Sequence, residues 1–144
     1  MGKAILIVED DPLSLKLTRD LLNVSGYTTI QADDGKMGVE KAKSDKPDLI
    51  LMDIMMPGMN GFETTERLKS NPPTRDIPII VVTSLDDRES RLYALQAGAD
   101  EFLSKPVDRA ELSVRVKNLL ALKECRRLME QQGVAADKGS LAEG

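Results

Sequence analysis

The chain has 144 residues, the length of one ordinary domain, and is 41% hydrophobic, 31% charged and only 3% aromatic. A chain of this size buries roughly two-thirds of its unfolded surface, so an aliphatic core suffices and disorder is excluded for most of its length. Its 24 acidic and 20 basic residues leave a charge of −4, which argues against a surface built to track nucleic-acid phosphates; the lack of any histidine excludes Ser-His-Asp and Cys-His nucleophiles and the usual zinc sites.

Ala4-Ile5-Leu6-Ile7-Val8 is a continuous aliphatic run, the pattern of a parallel strand buried on both faces. Asp11-Pro12 supplies a helix cap and a first-turn proline, Leu13, Leu17, Leu21 and Val24 follow at helical spacing, and Gly26 ends the element. Tyr27–Ala32 reads as a second strand. Asp33-Asp34-Gly35 then gives a turn and cap before a short helix to about Ser44, whose inward side carries Gly38, Val39 and Ala42. Asp48–Asp53 is another buried strand, and Pro57-Gly58-Met59-Asn60-Gly61 is a loop dense in turn residues.

Phe62 to about Ser70 is helical, Asn71–Thr74 is a surface connection, and Ile77–Thr83 is the fourth strand. A helix over Asp87–Ala97 closes at Gly98, and Asp100–Leu103 forms a fifth strand. The last helix starts near Asp108 and runs to about Gln132. Leu112, Val116 and Leu119 suffice to pack it, whereas Leu122, Cys125 and Met129 continue the spacing as an extension over 123–132. Residues 133–144 are small and polar and are expected to be a disordered tail. The charges at Lys41, Lys43, Arg126 and Arg127 read as solvated faces. The lone Cys125 forms no internal disulfide and fits a reducing compartment. With no apolar run long enough for a bilayer and no signal-peptide pattern, a cytoplasmic location is expected.

Five strands alternating with five helices give an α/β fold, a doubly wound parallel sheet with right-handed crossovers. Ligands of such sheets bind beyond the carboxyl ends of the strands. The first strand ends there in Glu9-Asp10-Asp11, the third in Asp53, the fourth in Thr83-Ser84, and the fifth runs into Ser104-Lys105-Pro106. Asp11 is assigned to the helix cap, leaving Glu9, Asp10 and Asp53 to converge. Two carboxylates at 4 Å repel by about 1 kcal/mol in water and about 4 kcal/mol at an effective dielectric of 20, and one ammonium offsets only part of that. A divalent cation is the simplest remedy. Mg²⁺ suits an all-oxygen set, and a carboxylate beside it can act as a nucleophile towards phosphorus.

Three blocks carry a family resemblance: Ile5–Asp11, Pro47–Gly61 and Gly98–Pro106. In their order and spacing the chain resembles the receiver domain of two-component response regulators, from about Lys3 to about Leu122. The resemblance implies a flavodoxin-like sheet of strand order 2-1-3-4-5 over residues 1–122. It implies a switch that takes a phosphoryl group from a sensor histidine kinase or a histidine phosphotransfer protein and catalyses only its own phosphorylation and dephosphorylation. Position by position, Asp53 matches the phosphoacceptor, Asp10 and Glu9 the metal-binding acids, and Met55 the backbone carbonyl ligand. Thr83 matches the hydroxyl that closes on the phosphate, Phe102 the switch aromatic, and Lys105 the phosphate-binding cation. The Lys105–Pro106 bond is expected to be cis.

The resemblance also allows a homodimer, through the fourth helix, fifth strand and fifth helix or through the extended last helix, and implies no direct contact with nucleic acid or membrane. Both a stand-alone regulator and a fragment of a longer one with a C-terminal output domain fit the chain. Two alternatives fit the residues less well. A Mg²⁺-dependent aspartyl-phosphate phosphatase of the haloacid-dehalogenase type wants a second Asp two positions after its nucleophile, where this chain has Met55. A flavodoxin-like cofactor carrier wants a phosphate-cradling loop after the first strand, where this chain is acidic.

Overall fold

A computed structural model describes residues 2–85 and 87–132; the expected tail lies outside the described residues. In chain order the elements are β1 (Ala4–Val8), α1 (Pro12–Val24), β2 (Thr28–Ala32), α2 (Gly35–Asp45), β3 (Leu49–Met52), α3 (Gly61–Ser70), β4 (Ile79–Thr83), α4 (Arg88–Ala97), β5 (Glu101–Ser104) and α5 (Arg109–Gln131). The strands form one sheet in the order β2-β1-β3-β4-β5, every pair parallel. That is the expected order, with the direction in which strands are added to the sheet reversing between β1 and β3.

Aliphatic residues fill both faces of the three central strands because both faces are covered. Leu6, Val8, Ile50, Met52, Ile79 and Val81 pack beneath α2, α3 and α4, together with Val39, Leu68 and Ala94. Ile5, Ile7, Leu49, Leu51, Ile80 and Val82 pack beneath α1 and α5, together with Leu22, Leu112, Val116 and Leu119. The sheet thus separates two cores. β4 begins at Ile79 rather than at Ile77, since Pro78 has no N–H for the ladder and offers only its carbonyl, to Ile50 N–H.

The helix starts are capped by side chains. Asp11, Asp34, Asn60, Asp87 and Asp108 each accept a backbone N–H of the first turn, and Asn60 with Glu63 closes a reciprocal capping box. Of the apolar stripe that marks α1 in the sequence, only Leu21 packs against the core. Leu13 is 65% exposed, Leu17 58% and Val24 67%, while Thr18 and Leu22 face the sheet. Lys41 also departs from the solvated reading: its ammonium donates to Gln31 O at 2.6 Å and ties α2 to the end of β2, which neutralises an otherwise unpaired carbonyl.

α5 has 23 residues, about 34 Å of helix. Its first half is buried on the sheet, and Leu122, Cys125 and Met129 of the extension are exposed. Among the described residues no helix is long and apolar enough to cross a membrane.

Candidate functional site

The sheet ladder continues one residue past its strands and delivers the site. Glu9 N–H donates to Ala32 O at 3.0 Å, Asp53 N–H to Val8 O at 3.0 Å, and Lys105 N–H to Thr83 O at 2.9 Å. The backbone therefore sets Glu9, Asp53, Thr83 and Lys105 side by side at the carboxyl edge, by the crevice where the strand order reverses. The Lys105–Pro106 peptide is cis.

Glu9 and Asp53 are buried, whereas Asp10 is exposed, and one carboxylate oxygen from each lies within 4.8 Å of the others. Lys105 Nζ donates to Glu9 Oε1 at 2.7 Å and stands 3.6 Å from Asp53 Oδ2, a charge contact rather than a hydrogen bond. Glu9 Oε1 also accepts from Ser14 Oγ at 2.9 Å and Oε2 from Asp11 N–H at 3.2 Å, while Asp53 Oδ1 accepts from Ile54 N–H at 2.8 Å. Asp11 itself caps α1 through Ser14 N–H.

The charges divide unequally. Burial, followed by the adjoining Glu9 carboxylate, pushes the Asp53 carboxyl up to about 6, against the pull of Lys105 and Ile54 N–H. Burial acts on Glu9 in the same sense, yet the hydrogen bonds from Lys105, Asp53 and Asp11 N–H hold it below its ordinary value. The pocket thus has one anion too many for its single ammonium. All three acids offer hard oxygen donors, no histidine or thiolate adjoins them, and the set suits a small divalent cation such as Mg²⁺.

Thr83 is wholly buried, and its Oγ1 accepts from Leu85 N–H at 3.3 Å. Phe102 is half-buried on β5, packed against the core beneath α2, α3 and α4, with the Arg91 guanidinium carbon 4.8 Å from its ring centroid. Met55 is exposed, and its carbonyl accepts no hydrogen bond among the described residues. Two further residues shape the site without having stood out in the sequence. A Cβ on Gly61 would run into the Asp53 carbonyl oxygen and lie 2.7 Å from Ile54 Cα, so only glycine lets α3 start against the acid's backbone. Ser14, one turn into α1, donates to Glu9; a hydroxyl five residues past an acid carries no spacing signal of its own.

Beside the acids, the exposed α1 stripe and the segment after Lys105 enclose a groove of about 540 Å³. Leu13, Leu17, Leu21, Val24, Pro106 and Val107 line it, with Lys105 on its rim.

A family model described as the response regulator receiver domain matches residues 5–117. The response regulator PleD of Caulobacter vibrioides is 41% identical over 123 residues, 85% of this chain, and the chain spans only 27% of that protein's length. Protein PilH of Pseudomonas aeruginosa is 38% identical over 117 residues, 81% of this chain and 97% of PilH. The crystal structure of the receiver domain of sensor histidine kinase PA1611 from Pseudomonas aeruginosa, with a magnesium ion in its active-site cleft, superposes with a TM-score of 0.79. It is 32% identical and covers 84% of this chain and 99% of that one.

Proposed function

The chain belongs to the response regulator receiver domain family of two-component signalling, and we propose that it is a switch thrown by phosphorylation of Asp53. The observation that carries this reading is the buried Asp53 carboxylate at a strand end, with two further acids within 4.8 Å and an ammonium at 3.6 Å. That arrangement costs stability and is accounted for by chemistry on a phosphoryl group.

The donor is a phosphohistidine of a sensor histidine kinase or a histidine phosphotransfer protein. An Asp53 carboxylate oxygen attacks phosphorus, the phosphorus–nitrogen bond breaks with its electron pair leaving on the imidazole, and that imidazole picks up a proton. Mg²⁺ held by Glu9, Asp10, Asp53 and the Met55 carbonyl would supply positive charge to the phosphoryl oxygens. Lys105 exchanges its Glu9 partner for a phosphoryl oxygen, which the short reach between its two contacts allows. Thr83 turns its hydroxyl from Leu85 N–H to the phosphoryl group, and the space it leaves admits Phe102. The face formed by α4, β5 and α5 changes as a result, a population shift biased by the added charge. The protein turns over no external substrate.

The α1 groove is the docking surface for the donor's helix, since it is apolar and its rim carries Lys105. A location in the cytoplasm fits the exposed thiol Cys125 and such a kinase partner. The α4-β5-α5 face or the α5 extension would serve a homodimer. Relatives occur at about this length, as PilH, covered to 97%, and at several times it, as PleD, covered to 27%.

The test is intact mass after treatment with acetyl phosphate and Mg²⁺. One phosphoryl group is expected on the native chain and none on Asp53→Asn. Undiminished labelling of that variant would move the nucleophile elsewhere.

A further inference from the structure

Outside this pocket, a cleft opens between α3 and α4. It encloses about 460 Å³ and is lined by Asn60, Phe62, Glu63, Glu66, Tyr93 and Gln96, with Ala97 at its end. The chain has two Phe, two Tyr and no Trp, and one of each is placed here with ring centroids 5.3 Å apart and planes inclined by 38°. Phe62 is anchored in the core below, whereas Tyr93 is 58% exposed and its hydroxyl has no hydrogen bond among the described residues. Glu63 is engaged in the cap of α3, but the Glu66 carboxylate makes no ion pair among the described residues. No lysine or arginine is among the residues lining the cleft.

We propose that the α3–α4 cleft is a docking site for an arginine side chain presented by a partner protein. Its planar guanidinium would lie on the Tyr93 face, the attractive side of an aromatic quadrupole, and pair with the Glu66 carboxylate, with Gln96 as a further acceptor. A cleft with a Glu66 carboxylate unpaired among the described residues, the exposed Tyr93 ring and no lysine or arginine among its lining residues complements that group in shape and charge. An ammonium lacks the plane that stacks, and an acidic segment is repelled. The site uses no residue of the phosphoryl-accepting pocket and stands independently of that chemistry.

The experiment is ¹H–¹⁵N shift mapping of the full chain titrated with hexaarginine, hexalysine and hexaglutamate peptides at about 0.15 M salt, where long-range attraction is screened. Hexaarginine is expected to bind saturably, with the largest shifts at residues 60–66 and 93–97, and more tightly than hexalysine. Glu66→Gln and Tyr93→Leu should each weaken it roughly three- to fivefold, while Glu40→Gln, an exposed acid on α2, should leave it unchanged. Both informative variants alter exposed side chains, and their spectra report folding directly. Shifts scattered over the acidic surface, equal loss in Glu40→Gln, or no saturable binding would overturn the assignment.

Discussion

The guanidinium carbon of Arg91 on α4 stands 4.8 Å from the centre of the Phe102 ring on β5. A cation over an aromatic face at such an exposed position contributes about 0.5–1 kcal/mol. It ties the half-buried ring on β5 to α4. Replacing Arg91 by Gln should raise the share of inward Phe102 about two- to fivefold in the unphosphorylated protein. Side-chain couplings of Phe102 measured by NMR check this, and an unchanged rotamer population would remove Arg91 from the switch.

Asp53 gives a pH dependence of definite sign. Its folded value of about 6 lies above the ordinary 3.8, so its favourable contribution is complete below the ordinary value and lost as pH rises through 6. Glu9, lowered in the fold, acts the other way and loses its contribution as pH falls below its ordinary 4.5. Metal-free protein should therefore be most stable near pH 4.5–5 and lose roughly 1–2 kcal/mol from there to pH 7.5. Asp53→Asn should abolish most of that fall and raise the pH 7.5 melting temperature in EDTA by roughly 5 °C. Thermal melts across pH decide it; an unshifted midpoint would mean that the acids do not repel.

Lys105→Ala leaves the buried Glu9 carboxylate without its 2.7 Å partner. Breaking such a half-buried pair should cost about 1–3 kcal/mol without loss of fold, and Mg²⁺ should restore most of it. Denaturant titrations with and without the metal separate this outcome from a structural lysine, whose loss Mg²⁺ would not repair.

Gly61→Ala would force a Cβ against the Asp53 carbonyl. Overpacking of backbone costs about 1–3 kcal/mol, and here it also displaces the nucleophile. Both a lower unfolding midpoint and slower labelling by acetyl phosphate are expected.

Leu17→Glu places a charge in the middle of the α1 groove, on a side chain that is 58% exposed. Phosphorylation by a kinase or phosphotransfer partner should fall at least about tenfold, while labelling by acetyl phosphate stays unchanged. Parallel time courses with the two donors make the comparison.

Much of this architecture was legible in the residues. Aliphatic runs located the buried strands, and Asp11-Pro12, Asp33-Asp34-Gly35, Gly26 and Gly98 located the ends of helices, because those signals are local. The acids and Lys105 were legible as a set because parallel strands bring their carboxyl ends together whatever the details of packing. The buried side of α1 was not. Its apolar residues form two overlapping stripes, Leu15 with Leu22 and Leu13 with Leu17, Leu21 and Val24, and periodicity alone cannot say which one the sheet takes. The role of Gly61 was equally hidden, since a glycine after Pro-Gly-Met-Asn reads as a turn whether or not another backbone crowds it.

The partition of the core by the sheet bears on how such a switch can be rewired. The α1 groove rests on one apolar cluster, and Phe102 with α4 rests on the other. α5 packs in the same layer as α1, so substitutions beneath the α1 groove reach its packing, whereas substitutions beneath Phe102 and α4 lie across the sheet. Of the face proposed to report phosphorylation, an engineer could therefore recut the α4 half without disturbing the layer that carries α1, but not the α5 half.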